Sequence, residues 1–304
     1  MRSLKYRPEV DGLRAIAVFA VILFHFDLSW ISAGYSGVDV FFVISGYLIT
    51  SILLKETANG SFSFNGFWMR RVRRILPVLL TVTFTVFVVD AIWGYRNELV
   101  ETAYHGVSSI FSVANIVMWQ SAGDYWGGGA ESSLFLHCWS LSVEEQFYIF
   151  YPLIAVLVIR YKPKLLITLI GFGLIISLAL YCFAALQYPV PTFYLLPTRA
   201  WELAAGCLLA ISMRGGQMQF SKGTQNFLQY FGFILLMLTL FYIPEGPMGP
   251  GLILPVLGAS LYIGFSHCGS GPGKWLSTPW VVYFGKISFS LYLWHWPVIV
   301  FARE

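Results

Sequence analysis

Charge is scarce in this sequence: Asp, Glu, Lys and Arg make up 11% of its 304 residues, whereas 57% are hydrophobic. A soluble domain carries about 25% charged residues, so the composition excludes a soluble globular chain. Cysteine is scarce as well. Cys138, Cys182, Cys207 and Cys268 lie far apart and mostly inside or beside apolar runs. They have neither metal-ligand spacing nor a disulfide pattern and read as small apolar residues. There is no G-x-S-x-G and no nucleotide-binding loop. Neither His25 nor His295 has a second histidine or a carboxylate three or four residues further on, so the helical metal signatures are missing and no metal is expected. The net charge of +4 is small, and nucleic acid is not an expected partner.

Apolar runs recur along the whole chain. They predict an all-α, polytopic transmembrane bundle of at least nine spans, near 13–28, 37–54, 75–93, 139–159, 165–187, 198–213, 227–243, 251–265 and 281–301. Pro77 falls in the first turn of the third run, where its missing N–H costs little, and Trp93 and Tyr95 form an aromatic belt at its end. Pro152 predicts a kink, and 123–131, GDYWGGGAE, reads as a flexible surface loop. The first run follows Arg2, Lys5, Arg7, Glu9 and Asp11 without a small-residue cleavage site, and reads as a retained span. Lysine and arginine gather at the N-terminus, at 55–74, 160–164 and 214–222, and at Lys274. By the positive-inside rule the N-terminus is then cytoplasmic.

Ionisable residues inside such runs are functional candidates by default. His25 lies eleven residues after Arg14, roughly 16 Å along a helix, about halfway through a hydrocarbon layer roughly 30 Å thick. Asp39 opens the return run. Arg70, Arg71, Arg73 and Arg74 suit either membrane anchoring or an anion site. Arg71 and Arg74 share a helical face, and guanidinium groups bind phosphate bidentately. Glu144 and Glu145 follow Ser140 by about one turn, where a carboxylate is favoured by the helix dipole. They point about 100° apart, with Glu144 on the Ser140 face. Arg199 and Glu202 suit an intrahelical ion pair, a structural role. His295 within WHWP suits an interfacial belt or a sugar-stacking surface equally. Trp139, Tyr148, Trp201, Trp294 and Trp296 add aromatic faces of the kind that pack on sugars. A buried histidine, a carboxylate and a basic cluster fit group transfer across a membrane. They also fit a proton-coupled transporter or flippase of a lipid-linked sugar, with His25 and Glu144 as its relay.

The chain closely resembles the acyltransferase-3 family of bacterial integral membrane O-acyltransferases, which acetylate O-antigen, other lipopolysaccharide sugars and peptidoglycan. The matching segments are YRPEVDGLRAIAVFAVILFH, GYSGVDVFFVISGYLI, FWMRRVRRILP, LHCWSLSVEEQFYIFYPL, RAWELAAG and GKISFSLYLWHWPVIVF. They run in family order over essentially the whole chain. Cys138 departs from an expected threonine.

The resemblance implies that residues 1–304 form a membrane acyltransferase domain in the bacterial cytoplasmic (inner) membrane, among membrane lipids. It implies an acetyl group taken from cytoplasmic acetyl-CoA, a co-substrate, and delivered to a sugar hydroxyl of a glycan or lipid-linked sugar. Arg14 corresponds to a residue in donor handling and Arg71 and Arg74 match a second arginine motif, so the three are the donor-binding candidates. His25 corresponds to the residue acting in transfer, with Glu144 and Glu145 in an acidic motif; Asp39 completes the catalytic candidates. Relatives carry at least one further span, and many continue into an external SGNH-type domain; this chain is expected to be a truncated member without one.

Overall fold

The computed structural model describes residues 6–28, 31–93, 99–121, 133–214, 220–242, 250–269 and 271–303. The expected belt residue Tyr95 and the expected loop 123–131 lie outside them. Every regular element among the described residues is a helix, as the apolar runs predict.

The helices in chain order are α1 (Pro8–His25), α2 (Gly37–Ala58), α3 (Phe64–Trp93), α4 (Leu99–Ile110), α5 (Ala114–Ser121), α6 (Cys138–Tyr161) and α7 (Leu165–Ala184). Then come α8 (Pro189–Tyr194), α9 (Leu196–Ser212), α10 (Lys222–Tyr242), α11 (Ile253–Phe265), α12 (Gly271–Leu276) and α13 (Pro279–Arg303).

The expectation of nine spans does not stand. Among the described residues four helical segments are long and apolar enough to cross a membrane: Gly34–Ala58, Phe64–Trp93, Cys138–Tyr161 and Leu165–Ala184. The other apolar runs fall short for physical reasons. The first carries Glu9, Asp11 and Arg14 within 18 residues, and α9 carries Arg199 and Glu202 within 17. With 13 residues, α11 is roughly 20 Å long, short of a hydrocarbon core of roughly 30 Å. In α10 the first turns are polar, and in α13 Lys286, His295 and serines dilute the run. A loop-by-loop assignment of sides, with the N-terminus inside, falls with the count. A multi-pass membrane protein remains.

Two helix pairs position the interior. The first is α2 on α9, joined where Gly46 faces Gly206. A Cβ on Gly46 would sit 1.9 Å from the Leu203 carbonyl oxygen, and one on Gly206 would sit 2.0 Å from that of Val43. The two backbones therefore approach in a way that small residues alone permit. The second pair is α1 on α13. Arg303 at the end of α13 donates to the His25 carbonyl at 2.6 Å and to the Asp27 carboxylate. A cation thus satisfies the last carbonyl of α1, which has no partner within its own helix. One apolar core joins residues of α2, α3, α6 and α13, including Phe42, Val82, Trp139 and Trp296.

Candidate functional site

Two neighbouring cavities lie among α1, α2, α6 and α13. The first is walled by Arg14 from α1, Ser45 from α2, Arg71 and Arg74 from α3, Ser140, Glu144 and Tyr148 from α6, and Tyr292 from α13. The second is walled by His25, Tyr35, His137, Trp139, Phe193, Arg199 and Trp296. Val38 and Tyr292 line both and so form the partition between them.

The first cavity gathers three arginines that the sequence keeps in two separate segments. Arg71 and Arg74 reach it from one face of α3, and α1 brings in Arg14, whose guanidinium is 3.5 Å from the Asp11 carboxylate. The Arg71 guanidinium lies over the Tyr148 ring, 5.1 Å from its centre, a cation–π contact that fixes its direction. Arg70 points elsewhere and forms a two-pronged pair with Glu56 at 2.7 and 2.9 Å. Against the three cations stands Glu144, which accepts hydrogen bonds from the hydroxyls of Ser45 and Tyr148. With one carboxylate beside three guanidinium groups on this wall, the wall is net positive, and guanidinium groups pair well with phosphate or carboxylate.

Ser140 and Glu144 share the cavity-facing side of α6, as their four-residue spacing predicts, and Glu145 is not on that wall. One Glu145 carboxylate oxygen, Oε1, is buried without a hydrogen-bond partner. Arg71 and Arg74 still act on it electrostatically.

His25 is the last residue of α1 and not a residue in mid-helix. Its Nδ1 is 3.1 Å from Nε2 of His295. The Trp296 ring meets it edge-on at 4.7 Å between centres. A third imidazole, His137, stands 5.6 Å from the His295 ring. Tyr292 ties this group to the partition: its hydroxyl donates to the His137 carbonyl at 2.9 Å and is bonded to Ser140 Oγ at 2.6 Å. Among the described residues no group of three or more His, Cys, Asp or Glu is arranged to hold a metal ion.

Asp39 does not meet His25. It accepts a hydrogen bond from Arg199 at 2.7 Å, and Arg199 also pairs with Glu202 at 3.1 Å. All three are almost wholly buried, with 1%, 1% and 0% of their surfaces exposed. The Arg199 guanidinium is packed between Phe42, Trp139 and Phe193. The expected Arg199–Glu202 pair is thus a buried triad, held together by the α2–α9 approach. A desolvated cation requires such partners.

Sequence reasoning missed His137 and Tyr292. Tyr292 had a usable signal, since it stands three residues before His295 and shares its helical face. His137 had none, because only the fold brings it to α13. Of the aromatic residues expected to face sugar, Tyr148 lines the first cavity and Trp139 and Trp296 the second. Trp201 packs instead against Tyr181, and the Trp296 N–H is engaged by the Ser133 carbonyl at 2.7 Å.

The model of the family described as an acyltransferase domain matches residues 7–304. The chain is 34% identical over 323 aligned positions to a Staphylococcus aureus protein provisionally named an O-acetyltransferase, covering 100% of this chain and 52% of that one. It is 32% identical to a Bacillus subtilis protein provisionally named a peptidoglycan O-acetyltransferase, covering 98% of this chain and 49% of the other. It is likewise 32% identical to the peptidoglycan O-acetyltransferase OatA of Listeria monocytogenes, with 98% and 50% covered. The chain therefore spans about half the length of these relatives. No solved structure matches. With a family model matched over nearly its full length, a membrane-type helical fold and the arginine and histidine motifs drawn together at adjoining cavities, the chain belongs to the acyltransferase-3 family.

Proposed function

We propose that this chain transfers an acetyl group from acetyl-CoA to a hydroxyl of a cell-envelope glycan, in the bacterial cytoplasmic membrane, and that residues 1–304 act as the membrane acyltransferase domain. One observation carries the reading: a cavity walled by three arginines adjoins one walled by His25, with Val38 and Tyr292 common to both. Arg14, Arg71 and Arg74 suit the phosphates of coenzyme A, and their end of the bundle is then the cytoplasmic side. The thioester, at the far end of a long flexible arm, reaches past Tyr292 to the second cavity. Aromatic faces there, Trp139 and Tyr35, suit an acceptor sugar.

In this reading His25 is the general base, histidine being the side chain whose ordinary pKa lies nearest neutrality. It takes the proton of the acceptor hydroxyl as that oxygen bonds to the thioester carbonyl carbon. The carbon–sulfur bond then breaks, and His25 returns the proton to the departing sulfur, giving an ester and a free thiol. Glu144 orients the donor end through Ser45 and Tyr148. The relatives named for peptidoglycan O-acetylation favour a glycan acceptor. A transporter relay from His25 to Glu144 is less well supported, since the two residues line different cavities.

The donor assay is the test. Each hydrogen bond to a charged group is worth about 1.5–3 kcal/mol, so replacing Arg71 and Arg74 together by Ala should weaken acetyl-CoA binding at least ~10-fold in protein that still folds. Unchanged affinity would assign these arginines to membrane anchoring. No recognition of acetyl-CoA by the wild-type chain would remove the enzyme reading.

A further inference from the structure

His25 does not stand alone in its cavity wall; it is the end of a hydrogen-bonded chain that begins at a backbone carbonyl. Nδ1 of His295 faces the carbonyl oxygen of Tyr292, one turn earlier on α13. A carbonyl accepts and never donates, so this nitrogen carries the His295 proton. With that ring neutral, its Nε2 holds a lone pair, and that lone pair lies 3.1 Å from Nδ1 of His25. Two facing lone pairs would repel at this distance, so Nδ1 of His25 carries a proton in turn. The lone pair of His25 is left on Nε2.

We propose that His295 is a positioning residue: the chain Tyr292 carbonyl, His295, His25 holds His25 as its Nδ1–H tautomer and makes Nε2 the atom that accepts the proton of the attacking hydroxyl. The inference rests on the reading of His25 as general base. The partner of His25 is then an imidazole and not a carboxylate, because Asp39 is held by Arg199 and Glu144 by Ser45 and Tyr148. When Nε2 takes the proton, His25 becomes a cation whose Nδ1–H still points at the His295 lone pair, and that bond becomes charge-assisted and stronger. The interaction is therefore stronger in the transition state than in the resting enzyme, which is the condition for it to speed the reaction. Trp296 holds the ring from its edge, and the Arg303 contact with the His25 carbonyl holds its backbone. The segment from Tyr292 to Arg303 thus sets both the place and the protonation of the base.

The test uses the full chain in lipid nanodiscs with ¹⁵N-labelled histidine, the His25 signals being assigned by loss in His25→Asn. The wild type should show a protonated Nδ1 and an unprotonated Nε2 at His25. In His295→Phe, similar in size but without an acceptor, the His25 signals should shift to a mixture of tautomers. Thiol release from acetyl-CoA in envelope membranes should fall about 10²-fold in kcat, the low end of what a mispositioned base costs, while KM for acetyl-CoA stays within about twofold. His295→Gln, which keeps an acceptor oxygen, should recover part of the rate. A proton on Nε2 of wild-type His25 would overturn the proposal, as would a His295→Phe protein with unaltered His25 signals and rate. If His295→Phe does not fold, the wild-type and His295→Gln spectra decide. The two readings fail separately: full activity in His25→Ala sinks the base and leaves the tautomer standing, whereas an inactive His25→Ala with a tautomer indifferent to position 295 sinks the positioning alone.

Discussion

Glu144 and Glu145 are neighbours in sequence with different surroundings. Glu144 faces three arginines and two hydroxyl donors; Glu145 lies off that wall with a buried oxygen unpartnered. Glu144→Gln would keep the shape but lose the negative charge among the guanidinium groups. It should lower transfer at least ~10-fold, in keeping with about 1.5–3 kcal/mol for a hydrogen bond to a charged group. Glu145→Gln should cost less than about threefold, and assays of both variants in one membrane preparation would expose a reversed order. His25→Ala removes the base and should lower transfer 10²–10⁴-fold, the usual contribution of positioned general base catalysis, with acetyl-CoA binding retained. Transfer near the original rate in folded His25→Ala protein would make the histidine a packing residue. The residues named in these tests were visible in the sequence because each is an ionisable group in an apolar run. Their pairings were not. His25 meets His295 across 270 positions, and no periodicity within one helix encodes a contact between two.

At the scale of the helix, the sequence showed where apolar runs lie but not how deeply each is sunk. An apolar run is required equally of a helix that crosses lipid and of one buried by its neighbours, so counting runs overstated the spans. Glu9, Asp11 and Arg14 in α1 and the Arg199–Glu202 pair in α9 are what separate the two cases here. The glycines carry the complementary message. Gly46 and Gly206 face each other where α2 meets α9, and the close approach brings Asp39 to Arg199 about two turns away along the helices. Gly206→Ala should push the helices apart and destabilise the protein by about 1–3 kcal/mol, as overpacking does. Thermal unfolding in detergent would measure this. Gly173, with no atom within 4 Å of a Cβ placed there, should accept Ala without loss. Equal unfolding temperatures for the two variants would mean that the α2–α9 contact does not limit stability.

The molecule as a whole is sorted by which membrane-length helices face lipid. Within its most apolar stretch α2 is 78% buried, whereas α3 is 22% and α7 17% buried. Apolar side chains such as Phe172, Ile175 and Phe183 on α7 remain exposed, and the surface they form is large enough to require an apolar surround. Lipid tails can supply one, since α7 at 20 residues is roughly 30 Å long, matching the hydrocarbon core. The buried ion triad joins this buried α2 to α9, and α2 contributes residues to the walls of both cavities. Two helices of similar length are thereby given opposite environments; the sequences hint at it, since α2 carries Asp39, Lys55 and Glu56 and α7 no charge, but the partners each acquires decide it. Spin labels on single cysteines at 172, 175 and 183 should be quenched strongly by lipid-dissolved oxygen and weakly by a water-soluble nickel chelate. Labels at Val43 or Ile49 on α2, both 0% exposed, should be shielded from oxygen as well. If the α2 labels reported lipid contact and the α7 labels did not, the bundle would be turned inside out relative to this structure, and the arginine and histidine cavities could not adjoin.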